Sequence, residues 1–252
     1  MNKIALITGA TSGIGKACAE LYAKNQYNII ITGRREERLS QLKAELESTY
    51  SVEVLSLCFD VRSNDEVVKA FESLTGKWKS IDVLVNNAGL AKGLSSIQNG
   101  DLDHWEQMID TNVKGLLYVS KAIMPLMIEL KHGHIVNVGS IAGKEVYPNG
   151  NVYCATKHAV DALTKAMRID LLPHKIKVSA VCPGAVDTEF SEVRFDGDKE
   201  KAEKVYLGYE PLKAEDIADA IYFMTSRPAH VNINDLLIMP TAQASATQFD
   251  KN

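Results

Sequence analysis

The chain has little cysteine, and the cysteines it has form no pattern. Its 252 residues include four cysteines, with no C-x-x-C pair and no Cys/His spacing of the kind that binds zinc. We therefore expect four reduced thiols, no metal site, and a cytoplasmic protein rather than a disulfide-bonded secreted one. A chain of this length buries enough surface to fold without such cross-links.

Long apolar runs and an excess of one charge are also absent. No stretch reaches the ~18 apolar residues that a membrane helix needs, and the apolar start at 4–7 is too short for a signal-peptide core. The 28 basic and 32 acidic residues nearly balance, giving a net charge of −4. This balance disfavours a large nucleic-acid-binding face and gives no reason to expect a membrane partner.

The sequence does have a regular alternation of short apolar runs and longer amphipathic stretches. Residues 3–8, 28–32 and 81–86 are typical of buried strands, and residues 36–48 of an amphipathic helix. The alternation predicts an α/β fold of the Rossmann type, a doubly wound parallel sheet of about seven strands with helices on both faces. Since no repeat or linker interrupts the pattern, we expect residues 1–252 to form a single dinucleotide-binding domain.

Two longer segments carry their own expectations. Residues 103–130 have the pattern of one long helical region. Residues 185–212 are the least regular stretch, rich in charge and long for a connection. This second segment is either a solvated insertion or a functional loop region that covers the substrate.

The first predicted strand leads into a glycine-rich turn that opens a helix. Residues 8–15 read T-G-A-T-S-G-I-G, with the spacing G-x-x-x-G-x-G. A helix N-terminus presents unpaired N–H groups, and glycine lets the backbone approach a pyrophosphate. A merely tight turn has glycines too, so the turn alone is weak evidence. As a nucleotide site it would consist of Gly9, Thr11, Ser12, Gly13, Ile14 and Gly15.

The end of the second strand bears on which nucleotide binds. A carboxylate there would bind the ribose 2′-hydroxyl of NAD, but this chain has Gly33-Arg34-Arg35. Two guanidiniums suit a 2′-phosphate, because arginine makes charge-assisted, bidentate contacts with phosphate. The alternative is that Arg34 and Arg35 only solubilise a loop. Together with the glycine turn, the arginines favour NADP(H) over NAD(H).

Downstream residues complete a recognisable set. N-N-A-G closes the fourth strand at 86–89, Ser140 follows the fifth strand, and Tyr153 and Lys157 share one helix face. With the glycine turn, and with Tyr153 thirteen positions beyond Ser140, the sequence resembles the short-chain dehydrogenases/reductases over nearly its whole length. The resemblance implies an NADP-dependent enzyme that acts on CH–OH groups.

The chemistry of these side chains agrees with that resemblance. Hydride transfer to a ketone leaves an alkoxide that needs a proton, and Tyr153 can supply it. A tyrosine pKa of ~10 is high for a base at neutral pH, so we expect the Lys157 ammonium to lower it. Ser140 can hydrogen-bond and polarise the substrate carbonyl. By resemblance, Lys157 also holds the nicotinamide ribose and Asn112 keeps a water in a proton relay, although capping or packing would equally explain an amide at Asn112.

The resemblance implies further cofactor contacts. Asp60 and Val61 would hold the adenine ring, and the loop after the sixth strand would meet the nicotinamide carboxamide. The remaining implied contacts are Asn87, Ala88 and Gly89 beneath the adenosine ribose, and Pro183, Gly184, Val186 and Thr188 in that loop.

The C-terminal third resembles one branch of the family, the NADP-dependent 3-hydroxy acid dehydrogenases, which act on serine and L-allo-threonine. The matching stretches include 188–196 (TEFSEVRFD), 230–234 (HVNIN) and 239–244 (MPTAQA). Such a site must bind a substrate carboxylate, and Arg194 is the candidate cation. The alternative is that Arg194 pairs with Glu192 or Asp196 at the surface.

Other functions remain open at this point. A 3-oxoacyl-carrier-protein reductase or general carbonyl reductase would use the same chemistry, and a redox sensor would bind NADPH without turnover. Such sensors commonly lack the tyrosine or lysine, and both stand here. Family members are commonly homotetramers packed through segments that match 103–130, 151–172 and 236–246, so we expect a homotetramer.

Overall fold

The computed structural model describes residues 2–251, which build one parallel sheet covered on both faces. Its strands, in chain order, are β1 (Ile4–Ile7), β2 (Asn28–Gly33), β3 (Val54–Cys58), β4 (Val83–Asn86), β5 (His134–Val138), β6 (Lys177–Pro183), β7 (Val186–Asp187), β8 (Leu212–Lys213) and β9 (Asp235–Ile238). Seven of them pair in the order β3-β2-β1-β4-β5-β6-β9, every pair parallel, while β7 and β8 form a separate parallel pair. The prediction of a Rossmann-type sheet of about seven strands is confirmed.

Helices connect these strands. They are α1 (Gly13–Lys24), α2 (Glu36–Tyr50), α3 (Asn64–Glu72), α4 (Leu102–Ile109), α5 (Leu116–Leu130), α6 (Asn151–Leu171), α7 (Phe190–Arg194), α8 (Lys199–Lys204) and α9 (Ala214–Thr225). Single 3₁₀ turns lie at Gly76–Lys79, Ile97–Asn99, Ile141–Gly143 and Leu172–His174. Within residues 2–251, no helix combines the length and the apolarity that crossing a bilayer requires.

The core is divided by the sheet into two layers. Alternate residues of a strand point to opposite faces, so in β1 Ala5 and Ile7 pack with residues of α1, α2 and α9, while Ile4 and Leu6 pack with α3, α5 and α6. The central strands are buried on both faces, which explains why they read as continuous apolar runs rather than as alternating patterns.

Two predicted segments differ from expectation. The helix predicted over 103–130 is interrupted by a π-helical segment, Asp110–Gly115, between α4 and α5. The stretch 185–212, predicted to be irregular, contains β7, α7, α8 and β8. The helices α7 and α8 have only five and six residues, and each buries a single residue, Ser191 in α7 and Ala202 in α8. Because so few of their residues are buried, these helices leave no hydrophobic pattern in the sequence.

Candidate active site

A cleft of about 330 Å³ opens at the carboxyl ends of the sheet strands. Parallel sheets bind ligands at this edge, where connections leave to both faces. The cleft brings together most of the residues singled out from the sequence. Those that line it are Gly9, Thr11, Ser12, Gly13, Ile14, Arg34, Arg35, Asp60, Val61, Asn87, Ala88, Gly89, Ser140, Tyr153, Lys157, Pro183, Gly184, Val186 and Thr188.

The glycine turn forms one wall of the cleft. Helix α1 begins at Gly13, and its N-cap Ser12 makes no side-chain capping bond, so the first N–H groups of the helix are left for a ligand. Gly9 has a φ of +65°, which favours glycine. Gly15 does not line the cleft; a Cβ there would lie 2.3 Å from the Gly9 carbonyl oxygen. Gly15 therefore lets the turn close on itself, and the resulting cradle fits a pyrophosphate.

Asn87 fixes the turn to the neighbouring loop. Its side-chain amide donates to the carbonyl oxygens of Thr8 (2.9 Å) and Gly9 (3.2 Å). The Thr8 hydroxyl in turn accepts from the backbone N–H groups of Asn87 and Ala88, both at 3.0 Å. The N-N-A-G loop and the glycine turn are thus held as one unit across two neighbouring strands.

The two arginines after β2 lie at the outer end of the cleft. Arg35 donates to the hydroxyls of Thr11 (2.7 Å) and Ser12 (2.9 Å), and Arg34 lies 3.6 Å from the Asp60 carboxylate. The pKa of Asp60 is below its usual value because hydrogen bonds and charge from Arg62 and the charge of Arg34 outweigh its partial burial. The guanidiniums and hydroxyls at this end together supply the donors that a ribose phosphate requires.

Sequence reasoning missed two charged residues at the same end. Glu189, in the segment after β7, accepts from Arg35 (3.0 Å) and from Arg38 of α2 (2.8 Å). Arg38 lies in the first turn of α2, directly after Arg34 and Arg35, so its nearness in the sequence could have added it to the arginine pair. Glu189 carried no such signal, because nothing in the sequence showed that residues 185–212 fold back over α2.

The loop after β6 lies directly on the glycine turn. A Cβ at Gly13 would lie 3.2 Å from the Cβ of Thr188, which is closer than ordinary van der Waals contact, so a side chain there would push Thr188 away. Further along, the Phe190 ring packs against the Tyr153 ring, with 5.7 Å between their centroids. Phe190 and Val193 also line the cleft. Residues 185–212 therefore reach both ends of it.

The inner end of the cleft holds Ser140, Tyr153 and Lys157, all buried. The Ser140 hydroxyl accepts from the Ala142 N–H (3.1 Å), so its own proton remains available for donation. The Lys157 ammonium donates to the Val138 carbonyl (2.8 Å) and lies 5.9 Å from the Tyr153 ring centroid. An ammonium has three donors, and two of them remain for ligand hydroxyls.

Burial governs the ionisation of this end. It raises the pKa of Tyr153, although the Arg194 charge and the Ser140 hydroxyl act in the opposite direction. Burial likewise lowers the pKa of Lys157 to about 8. The expectation that the Lys157 ammonium holds the tyrosine pKa below its ordinary value is therefore wrong for the cofactor-free protein: desolvation disfavours phenolate more than the Arg194 charge and the Ser140 hydroxyl favour it.

Asn112 lies in the π-helical segment and does not line the cleft. Its side-chain oxygen accepts from Leu90 N–H (2.8 Å), and its amide donates to the Leu90 carbonyl (2.8 Å) and the Thr156 hydroxyl (3.0 Å). The buried amide thus ties the loop after β4 to α6. It is nevertheless close to the reacting groups, since a Cβ at Gly89 would lie 3.3 Å from its Oδ1 and 3.7 Å from Lys157 Nζ.

Arg194 is half-buried beside Tyr153 but does not line the cleft; with Tyr153 and Trp105 it lines a smaller neighbouring pocket. Its guanidinium stacks on the rings of Tyr147 and Tyr153, 5.6 and 5.3 Å from their centroids, and donates to the Tyr147 hydroxyl. Asp196 pairs instead with Lys92 and His104. In the part of the chain that the structure describes, no carboxylate pairs with Arg194, so the alternative of a surface ion pair is wrong.

Sequence reasoning also missed the apolar lining. Phe59, Leu90 and Val138 lie in the cleft. Phe59 directly follows β3 and Val138 is the last residue of β5. A signal existed, because any residue at the carboxyl end of a strand in a parallel sheet faces this edge.

Comparison with known proteins identifies the family to which the chain belongs. Residues 3–199 match the short chain dehydrogenase family. An NADP-dependent 3-hydroxy acid dehydrogenase of Salmonella typhi is 46% identical over 244 residues, covering 96% of this chain and 97% of that protein. Sulfoacetaldehyde reductase 2 of Chromohalobacter salexigens is 44% identical and covers 100% of both chains.

A solved structure shows the same similarity in three dimensions. The closed form of a serine dehydrogenase complexed with NADP⁺ aligns with a TM-score of 0.92 at 43% identity, covering 99% of each chain. The glycine cradle, the arginines and the inner buried trio therefore lie in a fold that binds this nucleotide in a similar protein.

Proposed function

The chain belongs to the short chain dehydrogenase family, and on that premise we propose that it uses NADP⁺ to oxidise small alcohols reversibly. In these alcohols, one carbon separates the hydroxyl-bearing carbon from an anionic group. The chain is an NADP-dependent oxidoreductase that acts on CH–OH groups. The finer statement concerns the substrate. The observation that carries it is the Arg194 guanidinium, which lies over the Tyr153 ring without a carboxylate partner in residues 2–251.

The similar proteins act on substrates that share this chemistry. In serine and other 3-hydroxy acids, one carbon separates the carbinol carbon from the carboxylate. In sulfoacetaldehyde, one carbon separates the aldehyde carbon from a sulfonate. A guanidinium binds either anion with bidentate, charge-assisted hydrogen bonds. We therefore favour small 3-hydroxy acids, such as L-serine, L-allo-threonine and 3-hydroxyisobutyrate, and count the 2-hydroxysulfonate isethionate as a second candidate on the strength of the full-length similarity.

The residues of the cleft divide the work. The glycine turn would hold the pyrophosphate, Arg34 and Arg35 the 2′-phosphate, and Lys157 the nicotinamide ribose; the bound nicotinamide supplies or accepts the hydride. The Ser140 proton, free because its oxygen accepts from Ala142, hydrogen-bonds the substrate oxygen.

Tyr153 moves the proton. Burial keeps its phenol protonated, so during reduction it donates that proton to the developing alkoxide and becomes phenolate. During oxidation the phenolate is the form that takes the proton from the alcohol, and the positive charges of Lys157 and of bound NADP⁺ would favour that form. Phe190 and Val193 line the cleft, and the Phe190 ring packs against Tyr153, so their apolar side chains would limit the contact of water with the reacting groups.

The substrate class is tested by a panel assayed with NADP⁺ and NAD⁺. It comprises L-serine, L-allo-threonine, 3-hydroxypropionate, isethionate and a neutral secondary alcohol, with formation of reduced nicotinamide as the readout. We expect turnover of the anions with NADP⁺ and little with NAD⁺ or the neutral alcohol. Activity confined to ketones or acyl thioesters would leave the family assignment intact and refute the substrate class.

The role of Arg194 has its own test. Arg194→Ala should raise KM for a hydroxy acid about tenfold to a hundredfold, the loss expected for a hydrogen-bonded charge contact. Arg227→Ala removes a guanidinium that also lies over a ring, that of Phe223, but lines neither the cleft nor the pocket beside Tyr153, and serves as the matched control. An equal change in KM for the neutral alcohol would show that Arg194 supports Tyr153 or the fold instead of the carboxylate.

Assembly and compartment are proposals of the same kind. Large apolar side chains are exposed on α4, α5, the end of α6 and β9, including Ile109, Leu117, Ile169 and Leu237. These segments are the ones expected to pack in a homotetramer, and light scattering of the protein in solution measures its mass.

All four cysteines are free thiols, which suits a cytoplasmic protein.

A further inference from the structure

The outer end of the cleft already contains an anion that belongs to the chain. The Glu189 carboxylate accepts from Arg35 Nη1 at 3.0 Å and from Arg38 Nη1 at 2.8 and 2.9 Å. Although partial burial opposes it, hydrogen bonds from the two arginines hold the pKa of Glu189 below its usual value. The carboxylate is therefore charged at neutral pH.

The surroundings of Arg35 resemble those that a phosphate would provide. Its guanidinium donates to three different oxygens: Thr11 Oγ1, Ser12 Oγ and Glu189 Oε2. All four residues line the cleft. A 2′-phosphate placed among Thr11, Ser12 and Arg35 would present its oxygens to the same donors. Arg35 cannot keep every present contact and also bind that phosphate bidentately.

We propose that Glu189, held by Arg35 and Arg38, is an internal counter-ion that competes with the 2′-phosphate of NADP for Arg35, and thereby limits how strongly the enzyme prefers NADP to NAD. This inference rests on the proposed binding of the phosphate at Arg34 and Arg35. A phosphate monoester carries a charge of about −1.5 to −2 at pH 7, against −1 for a carboxylate. Since the side chains of Arg35, Arg38 and Glu189 are 41%, 46% and 42% exposed, their ion pairs are weak and are displaced at modest cost.

The position of Glu189 in the chain makes the competition specific to the phosphate. It follows Thr188, which packs on the glycine turn, and precedes α7. Its carboxylate pairs with Arg35 and Arg38 and, within residues 2–251, makes no side-chain hydrogen bond or ion pair at the inner end of the cleft. Removing its charge should therefore alter binding at the 2′ position and leave the pyrophosphate cradle as it is.

The test compares Glu189→Gln with the wild-type protein by isothermal titration calorimetry. We expect Glu189→Gln to lower Kd for NADP⁺ by about threefold to tenfold, the effect of one or two exposed ion pairs, and to leave Kd for NAD⁺ unchanged. Adenosine 2′,5′-bisphosphate, which carries the 2′-phosphate without a nicotinamide, should bind more tightly by the same factor. Glu192→Gln, a matched loss of one charge on α7 from a side chain that pairs with no cation in residues 2–251, should change neither Kd.

Each other result has a definite meaning. If the wild-type protein prefers NADP⁺ but Glu189→Gln binds it no more tightly, the competition is absent and the phosphate site stands. Weaker NADP⁺ binding in the variant would show that Glu189 instead holds its segment over the bound nucleotide. Equal tightening of NADP⁺ and NAD⁺ would indicate a general charge effect. A wild-type protein that binds both nucleotides equally would overturn the phosphate site and this inference together.

Discussion

Replacing Tyr153 with phenylalanine should lower kcat about a thousandfold while leaving the affinity for NADPH within about twofold, since positioned acid–base groups contribute 10²–10⁴-fold. The phenol ring is buried against Phe190 and Arg194, and phenylalanine retains that ring and its packing. What is lost is the O–H that moves the proton to and from the substrate oxygen.

Two measurements on the same preparation check this result. Stopped-flow single-turnover assays give the rate of the hydride step, and fluorescence quenching gives Kd for NADPH. A variant that retains more than a tenth of wild-type turnover would show that another group moves the proton. A variant that loses NADPH binding would show that the hydroxyl serves the nucleotide.

Replacing Lys157 with methionine should abolish most activity and yet stabilise the cofactor-free protein. The ammonium is buried and has one hydrogen-bond partner, the Val138 carbonyl, in the described residues. Burial lowers its pKa to about 8, so keeping it charged at pH 7 opposes folding. A shift of one unit corresponds to about 1.4 kcal/mol, and we expect a gain in unfolding free energy of about 1–3 kcal/mol.

The pH dependence follows from the direction of the shift. Between pH 8 and about 10.4, the ordinary lysine value, the unfolded chain holds the Lys157 proton and the native protein does not. The wild-type unfolding free energy therefore gains a rising contribution from Lys157 across this window. The advantage of Lys157→Met should be largest below pH 8 and should shrink as the pH approaches 10.

Urea unfolding at several pH values, without nucleotide, measures this difference. Lys144→Met is the matched comparison, because Lys144 donates to both Asp161 and Asp235 and its pKa is raised despite the desolvation that opposes it. That variant should lose stability where Lys157→Met gains it. If Lys157→Met is the less stable protein at pH 7, the ammonium is better solvated than its burial implies.

Much of the site could be predicted from the sequence because its parts obey local rules. The strands are buried on both faces and so read as apolar runs, and the glycine turn must follow β1 because the backbone closes on itself at Gly9 and Gly15. Tyr153 and Lys157 lie on one face through the helical period alone. These inferences need no knowledge of which strands are neighbours.

Other features depend on tertiary contacts and left no local trace. The π-helical segment at Asp110–Gly115 is continuous in helical pattern with α4 and α5, so periodicity merged the three. The raised pKa of Tyr153 depends on how deeply α6 is buried, which charge spacing does not reveal. The pairing of Glu189 with Arg35 joins residues more than 150 positions apart.

The parts of the chain that build the cleft determine whether substrate specificity and coenzyme preference can evolve independently. The surfaces expected to select the nucleotide, from Gly9 to Val61, come from the first quarter of the chain, whereas Tyr153 and Arg194 come from the second half. A lineage could therefore alter its alcohol without disturbing its coenzyme. Glu189 is the exception, because it lies on the same segment as Arg194 and pairs with Arg35 and Arg38. Substitutions that reshape this segment for a new substrate are therefore expected to change the preference between NADP and NAD as well. Substitutions elsewhere in the cleft should change substrate specificity and coenzyme preference separately.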